Sequence, residues 1–272
     1  MSQVPSWVPE GLDVSRPSAA RMYDYLLGGG HNFDADRRLA ARVSGAHPGC
    51  WDIARLNRAF LRRAVLELSA AGVRQFLDLG SGIPTVGNVH EIAQGADPAA
   101  RVVYVDHDPV AVAHCELILK DNDQAGVVLA DLRDPDSIMS SPTTRGLLDL
   151  DQPMGLLMVC VAHFISDDAD PRGVLGRYRE ALVPGSYLAL SHLTADSAPT
   201  EMAALVEVMR GSKQPIHPRS RERITELFTG FELIEPGVVG IAEWRPRSLG
   251  DGGDLPERNQ VLAGVGVKRT HP

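Results

Sequence analysis

The spacing of apolar residues changes along this 272-residue chain. Across residues 51–71 they recur at the 3.6-residue period of an amphipathic helix, and shorter helical patterns cover 18–27 and 34–43. From residue 73 onward, short apolar runs alternate with helical segments. This alternation predicts a mostly parallel sheet with helices on both of its faces.

The pattern divides the second part of the chain into strands and helices. Strands are predicted at 73–79, 101–106, 127–130, 155–161, 186–192, 231–235, 238–244 and 261–268, with helices at 86–95, 109–121, 171–182, 197–211 and 219–229. The final strands follow one another without a helix, which predicts an antiparallel hairpin at one edge of the sheet. We therefore expect a doubly wound, mostly parallel α/β sheet over residues 73–272. Residues 1–72 are expected to form an arm and helices that cap it within the same domain.

One predicted strand ends in a glycine-rich turn. The segment Phe76–Thr85 reads FLDLGSGIPT, and the strand at 101–106 ends in Asp106. Gly80 and Gly82 allow a tight turn and the close approach of backbone N–H groups to a ligand. Asp106 follows Gly82 at close to the spacing of about 20 residues at which an acid binds the ribose hydroxyls of a cofactor. The sequence therefore predicts a site for the nucleoside half of a cofactor.

Two positions argue against a dinucleotide as that cofactor. The third glycine of the dinucleotide pattern, which lets the helix pack beneath a pyrophosphate, is replaced by Thr85. Asp78 would repel a pyrophosphate but attract a cationic amino group, such as the one at the methionine end of S-adenosylmethionine. Asp78 could also cap the glycine turn, and the two roles are compatible. An NAD-dependent oxidoreductase is therefore the weaker alternative.

These residues resemble motif I and its partner acid in the class I S-adenosylmethionine-dependent methyltransferases. The run Pro17–Asp36, PSAARMYDYLLGGGHNFDAD, resembles the N-terminal signature of a bacterial family named S-adenosyl methyltransferase. The resemblance implies a seven-stranded Rossmann-like sheet, S-adenosylmethionine as methyl donor, and transfer to oxygen or nitrogen of a small acceptor. The expected cofactor-binding residues are Tyr23, Gly29, Gly30, Asn32, Asp78, Gly80, Ser81, Gly82, Asp106, His107, Asp108, Asp131 and Leu132.

Several acids near strand ends have more than one interpretation. By the resemblance, Asp131 would accept a hydrogen bond from the adenine amino group, with Leu132 against the ring. The alternative is a solvated acid in a strand-to-helix turn. Asp108, Asp134 and Asp170 each precede a proline, which is typical of a helix N-cap followed by proline at the first helical position. Asp108 could also contact the edge of the adenine.

The N-terminal signature contains three successive glycines, at 28–30, that carry a high entropic cost of ordering. A lid hinge or a close approach to a ligand would account for them, because methyl transfer benefits from alignment and water exclusion. The resemblance implies that Tyr23 lies near the cofactor, where it could stack or donate its hydroxyl. Its alternative role is core packing beside Met22 and Leu26.

His163 is the candidate catalytic residue, because it follows the fourth long strand and its imidazole can take a proton near neutral pH. A hydrogen-bonded structural histidine is the alternative, and His192 and His31 are further candidates. Without a base, a sensor that binds the cofactor without turnover remains an alternative function. The chain lacks the Asn/Asp-Pro-Pro-aromatic run with which methyltransferases modify amino groups of bases, which argues against a nucleic-acid substrate.

Bulk composition agrees with a small-molecule enzyme. The net charge of −8 provides no global attraction to nucleic acid or to an anionic membrane. Arg219, Arg221 and Arg223 are expected on one solvated helix face. The three dispersed cysteines show no metal-ligand spacing and suit a reducing compartment, so we expect no metal. With no secretory signal visible and no apolar run long enough to span a bilayer, the sequence predicts a soluble cytoplasmic protein.

Overall fold

The computed structural model describes residues 13–84, 87–212, 214–247 and 259–270. Its helices are α1 (Ala19–Leu26), α2 (Asp34–Ala46), α3 (Cys50–Ala70), α4 (Val89–Ala96), α5 (Pro109–Ile118), α6 (Pro135–Ser140), α7 (Pro142–Leu147), α8 (Pro171–Ala181), α9 (Pro199–Arg210) and α10 (Arg221–Glu226). Its strands are β1 (Gln75–Leu79), β2 (Arg101–Asp106), β3 (Ala125–Leu129), β4 (Gly155–Val159), β5 (Tyr187–Leu193), β6 (Glu232–Leu233), β7 (Val239–Gly240) and β8 (Val261–Val267). Thr85 and most of the predicted N-terminal arm lie outside the described residues.

The strands form one sheet in the order β3-β2-β1-β4-β5-β8-β6, with β7 also paired to β8. Strands β1 to β5 are parallel to their neighbours, and β8 is antiparallel to β5. Because β6 and β7 pair with different parts of β8, they share the last of seven positions across the sheet. The predicted doubly wound sheet and its antiparallel C-terminal edge are confirmed. The strand order reverses between β1 and β4, where sheets of this kind bind ligands.

Strand side chains alternate between two apolar layers, one on each face of the sheet. Phe76 belongs to the layer that contains Phe60, whereas Leu77 and Leu79 belong to the layer that contains Tyr178. All five residues of β1 are buried, as expected for a central parallel strand that helices cover on both sides. In the part of the chain that the structure describes, no helix combines the length and apolar character needed to cross a membrane.

The predicted strand at 238–244 is wrong beyond Gly240, where β7 ends. Arg63, a buried residue of α3, donates from Nε to the carbonyl oxygen of Trp244 at 2.8 Å. Its Nη2 donates to the carbonyl oxygen of Ile241 at 2.7 Å. The N–H of Ile241 still donates to the carbonyl oxygen of Val261, and the segment then turns away from β8 with two of its carbonyl oxygens bonded to Arg63.

Two short helices between β3 and β4, α6 and α7, were not predicted from the apolar pattern. Each has six residues, too few to establish a helical period. Both begin with a capping side chain followed by proline: Asp134 and Ser141 each accept a hydrogen bond from the N–H three residues later. The predicted caps at Asp108 and Asp170 are also confirmed by hydrogen bonds from the first turns of α5 and α8.

Candidate active site

A cavity of about 680 Å³ lies beyond the carboxyl ends of β1 to β4. Strand ends contribute Asp78, Asp106 and Cys160 to its wall, and helices α1, α3 and α9 and residues 214–217 contribute much of the remainder. Its volume lies within the range of about 300–1,000 Å³ typical of small-molecule sites. Its location at the reversal of strand order is where open α/β sheets hold their ligands.

Asp78 brings a buried carboxylate to this wall. Its side chain accepts no hydrogen bond from the described residues. Burial raises the pKa of Asp78 to about 7; the charge of Arg58 opposes this rise, and that of Asp106 adds to it. A buried carboxylate without a partner is costly to ionise, so a cationic ligand group here would offset its desolvation.

The glycine turn is held by β2 and not by Asp78. The N–H groups of Gly80 and Ser81 donate to the carbonyl oxygen of Val105, at 2.8 and 3.1 Å. These bonds leave Asp78 without the capping role that the sequence allowed. The turn therefore leaves its carboxylate available to a ligand.

Glycine is required at position 80 for two reasons. Gly80 has a φ of 68°, which other residues rarely adopt. A Cβ there would also overlap the side chain of Val161, just beyond β4. The space beside Gly82, in contrast, is open: a Cβ built there meets nothing within 4 Å. A ligand can therefore approach the backbone at Gly82.

Asp106, at the end of β2, is held by the backbone. Its Oδ2 accepts from the N–H of Gly82 at 2.7 Å, and its Oδ1 accepts from that of Asp108 at 2.9 Å. Burial raises the pKa of Asp106, and these two hydrogen bonds oppose the rise. His107 Nδ1 lies 3.6 Å from Oδ1. Since each carboxylate oxygen can accept two hydrogen bonds, Asp106 retains capacity for a pair of hydroxyls.

Asp131 and Leu132 are also wall residues. Unlike Asp78 and Asp106, Asp131 has its carboxylate paired with an arginine. Arg133 donates from Nε to both of its carboxylate oxygens, at 2.9 and 3.0 Å, and from its backbone N–H at 2.9 Å. These hydrogen bonds lower the pKa of Asp131, whose side chain is 44% exposed. The geometry matches an acid neutralised within its own strand-to-helix turn.

Tyr23 is a wall residue whose hydroxyl is already engaged. It donates to the carbonyl oxygen of Ala54 at 3.1 Å and accepts from Asn57 Nδ2 at 2.9 Å. Asn57 Oδ1 in turn accepts from Ser191 Oγ on β5 at 2.7 Å. Burial raises the pKa of Tyr23. The ring of Tyr23, more than its hydroxyl, is therefore available to a ligand.

Gly29, His31 and Asn32 of the N-terminal signature surround Asp24 instead of lining the cavity. Asp24 Oδ2 accepts from Asn32 Nδ2 at 2.9 Å and from the N–H of His31 at 2.8 Å. A Cβ at Gly29 would overlap the Asp24 carboxylate, which explains that glycine without a ligand. Among the described residues, Gly29, Gly30 and Asn32 do not belong to the wall, so the structure does not bring them to the other expected cofactor residues.

The two strand-end histidines differ in what they offer. His192 is buried away from the wall, and its Nδ1 donates to the carbonyl oxygen of Leu193 at 2.7 Å. Its Nε2 lies 2.8 Å from Arg219 Nη1 and must accept, because a guanidinium only donates. Burial lowers the pKa of His192 to about 3. Both ring nitrogens are occupied and the ring is neutral, so His192 is not available as a base.

His163, in the turn after β4, is on the wall and only 4% exposed. Its Nδ1 has no hydrogen-bond partner among the described residues. Burial, followed by the neighbouring His192, Arg219 and His217, keeps the pKa of His163 well below its usual range. His163 is therefore a wall residue with a neutral ring, but its unpartnered Nδ1 is enclosed by the protein and does not face the cavity. His31, the third candidate, is not part of the wall, and its ring contacts that of His114 at an interplanar angle of 55°.

The prediction that Arg219 lies on a solvated helix face is wrong. Arg219 precedes α10 and is 4% exposed. It donates to the carbonyl oxygens of Ala162 and Ile165 and to the carboxylate of Asp167, and so holds the loop after β4. The solvated positions of Arg221 and Arg223 on α10 are confirmed.

Arg58 and Cys160 are among the wall residues that the sequence analysis did not predict. Arg58 lies on α3, where its charge acts on Asp78 and its Nη2 donates to the carbonyl oxygen of Gly87 at 2.7 Å. Its neighbour Asn57 was a usable signal, because it interrupts the apolar face of this helix. Cys160, just beyond β4, has a φ of 55°, and nothing in the sequence indicates such a conformation.

A glycine turn, strand-end acids and a reversed strand order around one cavity define an α/β protein that binds a nucleoside cofactor. A model of the family described as S-adenosyl methyltransferase matches residues 5–269. The chain belongs to this family: it is an S-adenosylmethionine-dependent methyltransferase.

Solved structures agree with this assignment. The crystal structure of a DUF574 family protein from Streptomyces avermitilis MA-4680 is similar, with a TM-score of 0.90 and 37% identity over 94% of this chain and 99% of that one. That of a candidate methyltransferase from Thermobifida fusca YX has a TM-score of 0.92 and 42% identity over 98% and 100%. The plantazolicin methyltransferase BpumL, solved with S-adenosylhomocysteine, shares the fold alone, with a TM-score of 0.52 and 13% identity over 92% and 95%. No curated protein sequence matches the chain.

Proposed function

We propose that this methyltransferase transfers the methyl group of S-adenosylmethionine to oxygen or nitrogen of a small-molecule acceptor, and that donor and acceptor share the cavity at the carboxyl edge of the sheet. The observation that carries the proposal is the continuity of this cavity. It extends from the acids at the ends of β1, β2 and β3 to His163 after β4. When bound, S-adenosylmethionine supplies an electrophilic methyl group on a sulfonium.

The order of the strands supports an assignment of cofactor contacts. Neighbouring strands lie about 4.8 Å apart, so the sequence β3-β2-β1-β4 spreads their terminal residues along the edge of the sheet. We call the wall formed by Asp78, Gly80, Ser81, Gly82 and Asp106 the nucleoside end. There Asp106 would bind the ribose hydroxyls and Asp78 the ammonium group of the methionine moiety. Arg58, whose charge already acts on Asp78, would face the carboxylate of the same moiety.

Residues outside the nucleoside end would contribute less to cofactor binding. Asp131, Leu132, His107 and Asp108 would surround the adenine, with Leu132 as the apolar contact. Since Arg133 already neutralises Asp131, a hydrogen bond from the adenine would add little affinity. Gly29, Gly30 and Asn32 would act indirectly, by shaping the loop around Asp24.

The N-terminal segment would serve as a fixed cover. α1 and α3 form part of the wall, and Tyr23 and Asn57 connect α1 to β5 through hydrogen bonds. Arg21 pairs with Asp36 of α2 at 3.0 Å and lies 3.6 Å from Asp108 of α5. These contacts support a role in excluding water from the transfer step.

Calorimetry with two ligands tests the cofactor assignment. S-adenosylhomocysteine should bind with a Kd on the order of micromolar, or about −8 kcal/mol, and NAD should not bind. Tighter binding of NAD would overturn the proposal. Transfer itself is tested by incubating the protein with labelled S-adenosylmethionine and fractions of small-molecule extracts. Label in an extractable product would support turnover, whereas donor binding with no transfer to any fraction would favour the sensor.

A further inference from the structure

One part of the cavity wall, separate from the residues of the nucleoside end, is apolar. Its buried or half-buried side chains come from α1, α3, α9 and two loops: Met22, Ile53, Phe164, Leu205, Met209 and Ile216. All six belong to, or pack against, one apolar cluster of the protein core. We call them the apolar chamber. A ligand that enters this chamber exchanges water for contact with hydrocarbon, which favours an apolar ligand.

Most polar side chains on the wall near the chamber are already engaged. Tyr23 and Asn57 are hydrogen-bonded to each other, and each has a further partner. The amide oxygen of Gln214 accepts from a backbone N–H at 2.7 Å, and its amide nitrogen lies 3.0 Å from Nε2 of His107. Nδ1 of His163 has no partner but is enclosed by the protein. None of these groups is offered to a ligand in the chamber.

Cys160 and His47 are wall residues that contribute little to polar recognition. Burial raises the pKa of Cys160 to about 12, against a hydrogen bond from Ser191, so the thiol is neutral. A neutral thiol is a weak hydrogen-bonding group. His47 is only 3% exposed, and its Nε2 is enclosed.

Ser166 and His217 are the polar wall residues that stay available beside the chamber. Both are half-buried. Ser166 precedes the short 3₁₀ helix Asp167–Ala169 but does not cap it, although serine is a preferred N-cap residue. The ring of His217 makes no hydrogen bond within the part of the chain that the structure describes. A hydroxyl and an imidazole can each donate or accept, so together they can bind a polar group of a ligand.

The two segments that carry Ser166 and His217 are held together. The N–H of His217 donates to the carbonyl oxygen of His163 at 2.7 Å. Arg219, two residues later, donates to the carbonyl oxygen of Ile165, next to Ser166, also at 2.7 Å. The other N–H groups of this guanidinium are likewise bonded within the protein, so Arg219 positions the loop and offers no charge to a ligand. Groups held in advance bind a ligand without the cost of ordering a loop.

We infer that the methyl acceptor is an amphipathic molecule whose apolar body fills the apolar chamber and whose polar group hydrogen-bonds to Ser166 and His217. This inference rests on the proposed methyl transfer and names the class of its acceptor. The chamber supplies affinity, because burial of apolar surface is favourable in proportion to its area. Ser166 and His217 supply orientation, because hydrogen bonds depend on direction. A small acceptor that is polar throughout would leave the apolar wall without a ligand contact.

The first test is a homologous series of amphipathic probes. Calorimetry would measure the binding of 4-ethylphenol, 4-propylphenol and 4-butylphenol to the full chain saturated with S-adenosylhomocysteine. Each added methylene group should raise the affinity by up to about fourfold, which corresponds to about 0.8 kcal/mol for each buried CH2 group. Equal affinities along the series would overturn the inference.

Two variants of α9 show whether the alkyl chain enters the chamber. Leu205→Trp places a larger side chain on the chamber wall, so the gain for each methylene group should fall below about twofold. Ala204→Trp is the matched control, because it adds the same side chain at the neighbouring, exposed position of α9. The control should bind the series as wild type does, and both variants should bind S-adenosylhomocysteine as wild type does. An equal gain in the two variants would place the alkyl chain outside the chamber and overturn the inference.

Leu205→Ala examines the same wall without the risk of overpacking. It enlarges the chamber, so affinity along a longer series of 4-alkylphenols should continue to rise beyond the chain length at which wild-type affinity stops rising. The same limiting length in both proteins would contradict an alkyl chain in contact with Leu205.

The polar contacts are tested by comparing 4-propylphenol with propylbenzene. The phenol should bind about three- to tenfold more tightly, as one buried hydrogen bond allows. Ser166→Ala and His217→Phe remove the hydrogen-bonding groups and leave side chains of similar size, so the double variant should lose this preference. It should keep the gain for each methylene group, because the chamber is intact. Equal binding of the two probes to wild type, or an undiminished preference in the double variant, would overturn the role of Ser166 and His217.

Failure of the proposed function would give a different result. S-adenosylhomocysteine would then not bind, or labelled S-adenosylmethionine would transfer no methyl group to any small-molecule fraction. Failure of the present inference alone would leave donor binding and transfer intact, and would remove only the dependence on alkyl length or on Ser166 and His217.

Discussion

The nucleoside end of the cavity and the wall around His163, which we call the acceptor end, are built in different ways. At the nucleoside end, polar groups lie at the ends of central strands, and Asp106 is held by backbone N–H groups of neighbouring turns. At the acceptor end, side chains from α3, α9 and a loop surround one histidine. Groups held by a sheet keep their positions when helices and loops change. In the function that we propose, the sheet therefore holds the donor, whereas the surrounding helices and loops select the acceptor.

Substitution of Asp78 is expected to have the largest effect on affinity for S-adenosylhomocysteine. Asp78→Asn removes the charge that would pair with the ligand ammonium. Losing one partner of a buried charge pair costs about 2–5 kcal/mol, so calorimetry should show at least about a 30-fold weaker affinity for S-adenosylhomocysteine. Unchanged affinity for S-adenosylhomocysteine would remove Asp78 from the site.

The same substitution should stabilise the ligand-free protein at alkaline pH. Because the pKa of Asp78 in the folded protein is about 7, above its ordinary value, the folded state binds more protons than the unfolded state between these two values. The contribution of Asp78 to stability therefore falls as pH rises through this window. Thermal melting should show Asp78→Asn gaining stability relative to wild type between pH 5 and pH 8. A constant difference would contradict the raised pKa.

Asp106→Asn should have the next largest effect. The amide provides one acceptor oxygen in place of two, so it cannot serve the N–H groups of Gly82 and Asp108 as well as a ribose. We expect about a 10- to 100-fold loss of affinity for S-adenosylhomocysteine, corresponding to one or two charge-assisted hydrogen bonds. Asp131→Asn is the matched control. Because Arg133 already neutralises Asp131, this variant should lose less than about threefold. A larger loss for Asp131→Asn would reverse the assigned order of the two acids.

A change of pH is expected to have a smaller effect on affinity for S-adenosylhomocysteine. Below pH 7, Asp78 is protonated in the free protein, and binding of a cationic amino group must release that proton. Affinity for S-adenosylhomocysteine should fall by about tenfold from pH 8 to pH 6, because each unit below the pKa costs up to 1.4 kcal/mol, or about tenfold. Asp106 faces the same turn, so Asp78→Asn is the necessary control and should flatten the profile. A flat profile in the wild type would place the ammonium elsewhere.

The extent to which site residues could be predicted from the sequence differs between the two ends of the cavity. Asp78, Gly80 and Asp106 could be located because strand ends and tight turns depend on neighbouring residues. The role of Gly29 could not, because it depends on Asp24 turning back on its own loop. The sequence offered both His163 and His192 as candidate bases. It could not show that the ring of His192 is bonded to Arg219, which is distant in sequence. Tertiary packing decides such cases, and a local pattern does not contain it.

The absence of a side chain at Gly80 limits which substitutions this part of the protein can accept. The side chain of Val161 occupies the place that any larger residue at 80 would need, and Val161 begins the turn that carries His163. A single added carbon at 80 would push against that turn and shift the histidine. A residue with a Cβ at position 80 would thus require a smaller side chain at position 161, and it would still have to adopt the positive φ of Gly80.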